Sequence, residues 1–203
     1  GRMNSTSGLT YEWLPTATGN YDWNIPSNWA SVPGGQPRFV PNNADVLLFN
    51  KGGVTTATNV PTQTLAQMHV SQNTNITLQA TGGASNTLTI NNTAGTNFSI
   101  EAGSTMQIST DVMGTLTLTF AGVTGQISDV AGNLIVNKNG TFTSVANNPV
   151  NFTSGSFYIH NRDGGAIPAT AVSWAATSTC KITGIVTTNP TGLTTTTFGN
   201  FIW

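Results

Sequence analysis

The sequence predicts an all-β protein, and three observations support that fold class. From residue 54 onward short runs such as "TLTLTFAG" and "NLIVN" alternate apolar with polar residues, the two-residue period of a strand with one buried face. These runs are rich in Thr, Val, Ile and Phe, which favour strands. No segment of helical length has a 3.6-residue period. The nearest candidate, "ATAVSWAATSTC", follows Pro168 and contains β-branched residues, so we expect one short helical turn there at most.

The strand spacing is compatible with two architectures. Predicted strand centres recur at short, regular intervals with glycines between them: Leu88, Phe98, Met106, Leu116, Ile127, Leu134, Phe142, Val150 and Phe157. An antiparallel β-sandwich has such evenly spaced short strands joined by turns. A β-solenoid has the same spacing, with about three strands in each coil.

A repeating unit favours the solenoid. The stretch "ISDVAGNLIVNKNGTFTSV" contains a unit of the type G-x-L-x-V-x-x-x-G-T-F, in which glycine turns a corner and the next two alternate residues point inward. Stacked coils would align these inward residues in columns, and asparagines could form amide ladders between coils. We therefore predict a right-handed parallel β-helix, with the antiparallel β-sandwich as the alternative.

The N-terminal segment differs from the rest of the chain. Residues 1–53 contain most of the tryptophans and five of the nine prolines. A solenoid needs a cap over its first open coil, and bulky aromatic residues on irregular loops suit that position. We predict an aromatic-rich cap with entry strands over residues 1–53 and solenoid coils over residues 54–203, within a single structural domain.

Composition narrows the function classes. Charged residues make up only 6% of the chain, and six basic against seven acidic residues leave a net charge of -1, so nucleic acid is not an expected partner. No run approaches the ~20 apolar residues of a membrane helix, so no membrane span is expected. The abundance of Thr, Asn, Ser and Gly is typical of extracellular structural and adhesive proteins, which predicts an extracellular or cell-surface location. The oligomeric state stays open.

Two blocks resemble a known group of proteins. "YDWNIPSNWASVPGG" followed by "PNNADVLLFN", and the closing block "YIHNRDGGAIPATAVSWAATSTCKITGIVTTNPTGLTTTTFGNFIW", are similar to repetitive β-rich segments of large secreted and cell-surface proteins of gliding bacteria exported by the type IX secretion system. The resemblance implies a β-helical or β-rich part of a larger adhesin-like protein without assigned catalytic residues. In that family the closing block commonly runs on into another cysteine. The resemblance therefore also implies a hypothesis that Cys180, the one cysteine here, pairs with a residue beyond this chain.

The stretch "YIHNRDGG" is the richest polar cluster of the sequence. His160, Arg162 and Asp163 could bind a sugar or a carboxylate, with Tyr158 as a stacking surface. On a strand Tyr158 and His160 would share one face, while Ile159 would lie on the other. The structural interpretation is an ordinary tight turn, in which Asn and Asp bind their own backbone and glycine adopts positive φ. The sequence favours a turn without excluding a ligand.

The N-terminal aromatic residues form a second candidate. Tyr21, Trp23 and Trp29 are close enough in sequence to form a surface on which sugar rings stack, as in a carbohydrate-binding module. The cap described above would use the same residues to cover the first coil, and we favour that interpretation.

The sequence predicts no catalytic residue, no metal site and no cofactor. A glycosidase needs two neighbouring carboxylates, whereas Glu12 and Glu101 lie far apart in sequence and Asp111 and Asp129 have the positions of turn residues. Two histidines offer too few zinc ligands. We therefore expect a non-catalytic rod for adhesion or display, whose partner would be a polysaccharide or another cell-surface component. The alternatives are a carbohydrate-binding module and, less favoured, a polysaccharide lyase or hydrolase on a β-helix.

Overall fold

A computed structural model describes residues 7–92, 95–109 and 114–203, and these residues form strands and one 3-10 turn (Pro26–Asn28) but no α-helix. The strands are β1 (Thr10–Trp13), β2 (Gly19–Asp22), β3 (Trp29–Val32), β4 (Val46–Phe49), β5 (Val54–Val60), β6 (Gln63–Leu65), β7 (Gln67–Val70), β8 (Asn75–Ala80), β9 (Ser85–Ile90), β10 (Gly95–Ile100), β11 (Thr105–Ile108), β12 (Thr115–Phe120), β13 (Gln126–Val130), β14 (Asn133–Asn137), β15 (Gly140–Phe142), β16 (Val150–Phe152), β17 (Phe157–Asn161), β18 (Val172–Trp174), β19 (Thr179–Thr183) and β20 (Asn200–Ile202).

The strands form three sheets that the chain visits in turn. Sheet A has the order β18-β16-β13-β10-β7-β4-β1-β3, sheet B the order β2-β5-β8-β11-β14-β17-β19-β20, and sheet C the order β15-β12-β9-β6. Strands β4, β5 and β6 lie in sheets A, B and C respectively, and the next nine strands repeat that sequence three times. Among these strands only β1 and β3 pair antiparallel. The structure is therefore all-β, with parallel sheets and a solenoid-like winding, and it differs from the antiparallel sandwich considered as the alternative.

Side chains alternate between the interior and the surface as the two-residue period predicts. In sheet B the pairing register places Leu78, Ile108, Val136 and His160 side by side on four successive strands, and all four are buried. One cluster of buried apolar residues extends from Tyr11 to Ile182. The core therefore runs along the stack of coils.

The N-terminal aromatic residues are packed together at the first coil. The ring centroid of Trp29 lies 4.8 Å from that of Trp13 and 4.9 Å from that of Trp23, and the indole N–H of Trp29 donates to the Trp23 carbonyl at 2.9 Å. A buried ion pair between Arg38 and Asp45, with 2.9 Å between nitrogen and oxygen, lies beside them. Strand β3 pairs with β1 at this end of sheet A.

Near the C-terminus the third side of the solenoid-like winding no longer consists of strands. Sheet C ends at β15, and the later segments 162–171 and 184–199 take the place of further strands, with a parallel bridge between Ala166 and Thr191. The stretch proposed for a helical turn contains β18 and the start of β19 instead, and Trp174 there stacks on Phe152 at 4.2 Å. Residues 7–92, 95–109 and 114–203 contain no helix of the length and apolarity needed to cross a membrane.

Candidate functional site

The "YIHNRDGG" cluster begins on the inner face of the solenoid. Tyr158 and His160 alternate with Ile159 along β17 as predicted, and the face that they share is the buried one, since both have no exposed surface. A ligand outside the protein cannot reach either side chain. The proposed stacking role of Tyr158 and the proposed ligand contact of His160 are therefore wrong, because the register directs both side chains into the core.

His160 is held by two hydrogen bonds. Its Nε2 lies 2.7 Å from the carbonyl oxygen of Gly164, which can only accept, so Nε2 carries the proton and donates. In the neutral ring Nδ1 then accepts from the hydroxyl of Tyr158 at 3.2 Å. Burial lowers the pKa of His160, and although the contact with the Gly164 carbonyl opposes this, the positive charge of Arg162 adds to it. His160 is therefore a neutral residue that ties the following turn to the core.

Arg162 lies at the point where β17 ends and reaches across to sheet C. Its Nη1 donates to the carbonyl oxygen of Gly140 and to the hydroxyl of Thr141, the latter at 3.3 Å. Its buried Nε has no hydrogen-bond partner. Gly165 packs directly on the guanidinium, since a Cβ on this glycine would lie 2.9 Å from Nε, and its φ of +81° also favours glycine. The second glycine of the motif therefore makes room for the arginine.

Asp163 is exposed and acts as an acceptor for the next loop. Its Oδ1 accepts the backbone N–H groups of Val186, Thr187 and Thr188 at 2.9, 2.8 and 2.8 Å, and its Oδ2 accepts the hydroxyl of Thr187 at 2.7 Å. The hydroxyl of Thr187, followed by the three backbone N–H groups, holds the pKa of Asp163 well below its ordinary value. The two parts of the closing block thus bind each other, which agrees with the turn interpretation.

An open pocket lies beside this turn. It has a volume of about 560 Å³, and the residues that line it are Lys138, Asn139, Asn161, Arg162, Asp163, Gly184 and Val186. We refer to it as the RDG pocket. Two of the predicted site residues, Arg162 and Asp163, line it, whereas Tyr158 and His160 do not.

Sequence reasoning missed the other residues of the RDG pocket, although a signal was present. The stretch "VNKNG" at residues 136–140 and the stretch "HNRDG" at residues 160–164 share the pattern Asn, basic residue, Asn or Asp, Gly. Strands β14 and β17 pair in the register that places Asn137 beside Asn161, and the amide of Asn161 donates to Asn137 at 2.8 Å. The repeat therefore brings Lys138 and Arg162 to the same corner of adjacent coils.

The N-terminal aromatic residues do not form the predicted stacking surface. Trp23 and Trp29 are only 2% and 1% exposed, and the half-buried Tyr21 donates its hydroxyl to the Ala17 carbonyl at 3.0 Å. The stacking surface, the less favoured of the two interpretations, is therefore wrong for the two tryptophans, because their rings pack on each other and on Phe49. Four strands of sheet B separate β2 from β17, so these residues also lie apart from the RDG pocket. Exposed aromatic side chains are found instead at Phe39, Phe201 and Trp203, which are 64%, 43% and 61% exposed.

The remaining ionisable residues do not assemble into a metal site. Within residues 7–92, 95–109 and 114–203, no group of three or more His, Cys, Asp or Glu side chains could hold a metal ion. The turn position expected for Asp129 is wrong, since Asp129 lies on β13 and accepts from the Asn151 amide at 2.9 Å. Asp111 is outside the described residues. His69 lies on β7 beside Ser99 of the next coil, with 2.8 Å between Nδ1 and Oγ. The Cys180 thiol is unpaired and buried.

The chain matches no protein-family model, and no significant match was found among curated proteins or solved structures.

Proposed function

We propose that this chain is a non-catalytic, rigid segment of a secreted or cell-surface adhesin-like protein, wound as a right-handed parallel β-helix. The observation that carries the proposal is the register of sheet B. From Thr56 of β5 to Lys181 of β19, equivalent residues of six neighbouring strands lie side by side without interruption. Such stacking gives a stiff body whose length grows with the number of coils.

Chain topology supports the right-handed winding. From β5 to β17 each strand of sheet B connects to its parallel neighbour through one strand of each of the other two sheets, as β5 connects to β8 through β6 and β7. Connections between parallel strands of one sheet are right-handed in about 98% of known cases. The same connection recurs in all four coils between β5 and β17, which favours one hand along this part of the rod.

The outer faces support a role in display. Neutral polar side chains connect neighbouring coils: Ser173 donates to Asn151 at 2.8 Å, and Asn133 donates to Thr105 at 3.1 Å. Charged residues are only 6% of the sequence. A surface of hydroxyl and amide groups remains hydrated without a strong field, which suits a rod outside the cell.

The hydrogen bonds around the RDG turn weigh against an enzyme. General acid or base catalysis needs a titratable group within reach of a substrate. His160 is enclosed, and both oxygens of Asp163 are occupied by the loop that follows β19. A structural role for the motif is the simpler interpretation.

The rod can be tested by measuring distances along one outer column of sheet B. Spin labels on Thr56→Cys and Lys181→Cys, in a Cys180→Ala background, span five strand steps, or about 24 Å at ~4.8 Å per step. A Thr56→Cys and Ile159→Cys pair spans four steps and serves as the matched control, about 19 Å apart. We expect one narrow distance for each pair and a difference close to one step. A broad distribution for either pair would contradict a rigid segment.

Adhesion needs a separate measurement. Beads coated with the chain are passed under flow over surfaces coated with polysaccharide or cell-surface extract, and beads coated with a protein of similar size and net charge are the control. Retention of the coated beads, without release of shortened glycan into solution, would support adhesion. Release of glycan fragments would contradict the non-catalytic assignment.

A further inference from the structure

We propose that the RDG pocket binds an acidic glycan, a polysaccharide that carries carboxylate groups. The pocket is a binding site on one face of the rod, and this inference goes beyond the structural role proposed above. Its volume of about 560 Å³ falls within the ~300–1,000 Å³ typical of ligand sites.

Charge is the first reason. Lys138 and Arg162 line the pocket with two positive charges, while Asp163 supplies one negative charge. Among the described residues the ion pairs are Arg38 with Asp45 and Lys51 with Glu12, so neither cation of the pocket is paired with a carboxylate. In a chain with only six basic residues, two unpaired cations in one pocket are a local concentration of positive charge.

The carboxylate of Asp163 does not neutralise these cations by contact. Its two oxygens already accept four hydrogen bonds from residues 186–188, and those bonds keep it ionised and in place. Asp163 therefore shapes the wall of the pocket. An incoming carboxylate is left to bind the exposed Lys138, with the positive charge of Arg162 beside it.

The neutral lining favours a sugar over a simple anion. Asn161 lines the pocket, and although its amide donates to Asn137 and accepts from Thr183, a second N–H and a second oxygen lone pair remain for a sugar hydroxyl. Val186 is 81% exposed and presents an apolar patch of the kind that packs on the C–H face of a sugar ring. A carboxylate, hydroxyls and an apolar ring face occur together in a uronic acid.

Gly184 and Arg162, which both line the pocket, pack closely on each other. Gly184 follows β19 with a φ of +74°, and a Cβ there would lie 2.9 Å from the backbone nitrogen of Arg162. The guanidinium of Arg162 is fixed by hydrogen bonds to the Gly140 carbonyl and the Thr141 hydroxyl. The site is therefore preorganised, which reduces the entropy lost on binding.

The test is calorimetric titration of the whole chain with trigalacturonate. The matched ligand control is the same trisaccharide with its carboxyl groups methyl-esterified. Lys138→Gln removes the exposed cation of the pocket, and Lys181→Gln removes the same charge from β19, outside the lining. Melting curves of both variants establish that the fold is retained.

We expect trigalacturonate to bind and its ester to bind at least tenfold more weakly. Lys138→Gln should weaken the binding of the acid by about tenfold, equivalent to ~1.4 kcal/mol, while Lys181→Gln should leave it within about twofold. Added salt should weaken the binding of the acid form. Equal binding of acid and ester, or an unaffected Lys138→Gln variant, would overturn the proposal.

An oligoglutamate peptide separates glycan recognition from recognition of any carboxylate. Weaker binding of the peptide than of trigalacturonate supports the glycan. Equal or tighter binding of the peptide would overturn the glycan and assign the site to an acidic polypeptide. Because these measurements use single chains in solution, their failure leaves the distance test of the rod unaffected.

Discussion

Asp163 accepts both the backbone N–H of Thr187, at 2.8 Å, and the hydroxyl of the same residue, at 2.7 Å. With the N–H groups of Val186 and Thr188, these bonds fasten the loop after β19 to the turn after β17. An aspartate does this better than an asparagine, because a carboxylate offers acceptors on both oxygens and an amide on only one.

We predict that Asp163→Asn lowers the melting temperature at neutral pH and speeds amide exchange at residues 186–188. The control is Asp129→Asn, where the native carboxylate accepts one side-chain hydrogen bond, from Asn151. The folded pKa of Asp163 is depressed, so its contribution to stability is fully present above the unfolded value of ~3.9 and is lost as pH falls toward the folded value. The difference between wild type and variant should therefore shrink below about pH 4. Equal melting temperatures at neutral pH would contradict this role.

His160 should make stability depend on pH in a higher range. Burial lowers its folded pKa below the ordinary value of ~6.5, so the folded chain resists a proton that the unfolded chain accepts. The free energy of unfolding should fall as pH decreases below about 6.5, by at most ~1.4 kcal/mol per pH unit for this one group. Above that range the contribution is fully present.

The experiment is urea denaturation at a series of pH values with His160→Gln, which does not titrate. Burial also lowers the pKa of His69, so wild-type His160 and His160→Gln are compared in a His69→Gln background. We expect the slope between about pH 6.5 and 5 to decrease when His160 is replaced. The same slope with and without His160 would show that its protonation is not linked to folding.

The alternating strands could be predicted because each depends on local sequence. Leu134 and Val136 follow Gly132 at alternate positions, and both point inward as the repeat indicated. The buried position of His160 could not be predicted in the same way. The sequence marks His160 as a candidate ligand residue, but the register with Val136 and the carbonyl of Gly164 provide an inner position in which a neutral imidazole is satisfied.

The pocket was harder to predict because it depends on contacts between coils. Arg162 was recognised as a candidate, but Lys138 lies one coil earlier and is brought to the pocket only by the pairing of β14 with β17. For the tryptophans, an aromatic cap and an aromatic binding surface have the same composition. Only packing distinguishes them, and Trp23 and Trp29 are buried.

Two glycines with nearly equal backbone angles allow a test of close packing at the first coil. Gly53 and Gly83 have φ of +79° and +78°, so alanine is similarly strained at both. A Cβ at Gly53 would lie 2.1 Å from the carbonyl oxygen of Thr16, whereas nothing lies within 4 Å of one at Gly83. We predict that Gly83→Ala costs ~1–2 kcal/mol and that Gly53→Ala costs at least about twice as much, measured by urea denaturation. Equal costs would show that crowding of the added Cβ against the Thr16 carbonyl oxygen does not destabilise the protein further.

Tryptophan fluorescence should separate the buried rings from the exposed one. Trp13, Trp23 and Trp29 are at most 2% exposed, whereas Trp203 is 61% exposed. Iodide should therefore quench a minor part of the emission, and Trp203→Phe should remove most of that part. The corresponding control is Trp29→Phe, which should leave the quenched part unchanged. Because Trp174 is half-buried, the test is repeated with Trp174→Phe added to Trp203→Phe. Quenching that persists in this double variant would mean that the rings at the first coil are accessible.

The same measurement distinguishes the two ways in which the chain could hold a glycan. Trp203 does not line the RDG pocket, so trigalacturonate bound there should leave iodide quenching as it is. Stacking of the sugar on exposed aromatic rings would instead protect Trp203 and would be lost in Trp203→Phe. Binding that survives Trp203→Phe but weakens in Lys138→Gln is therefore the pattern expected of a charged pocket, and the reverse pattern would assign the glycan to the aromatic residues around Phe201 and Trp203.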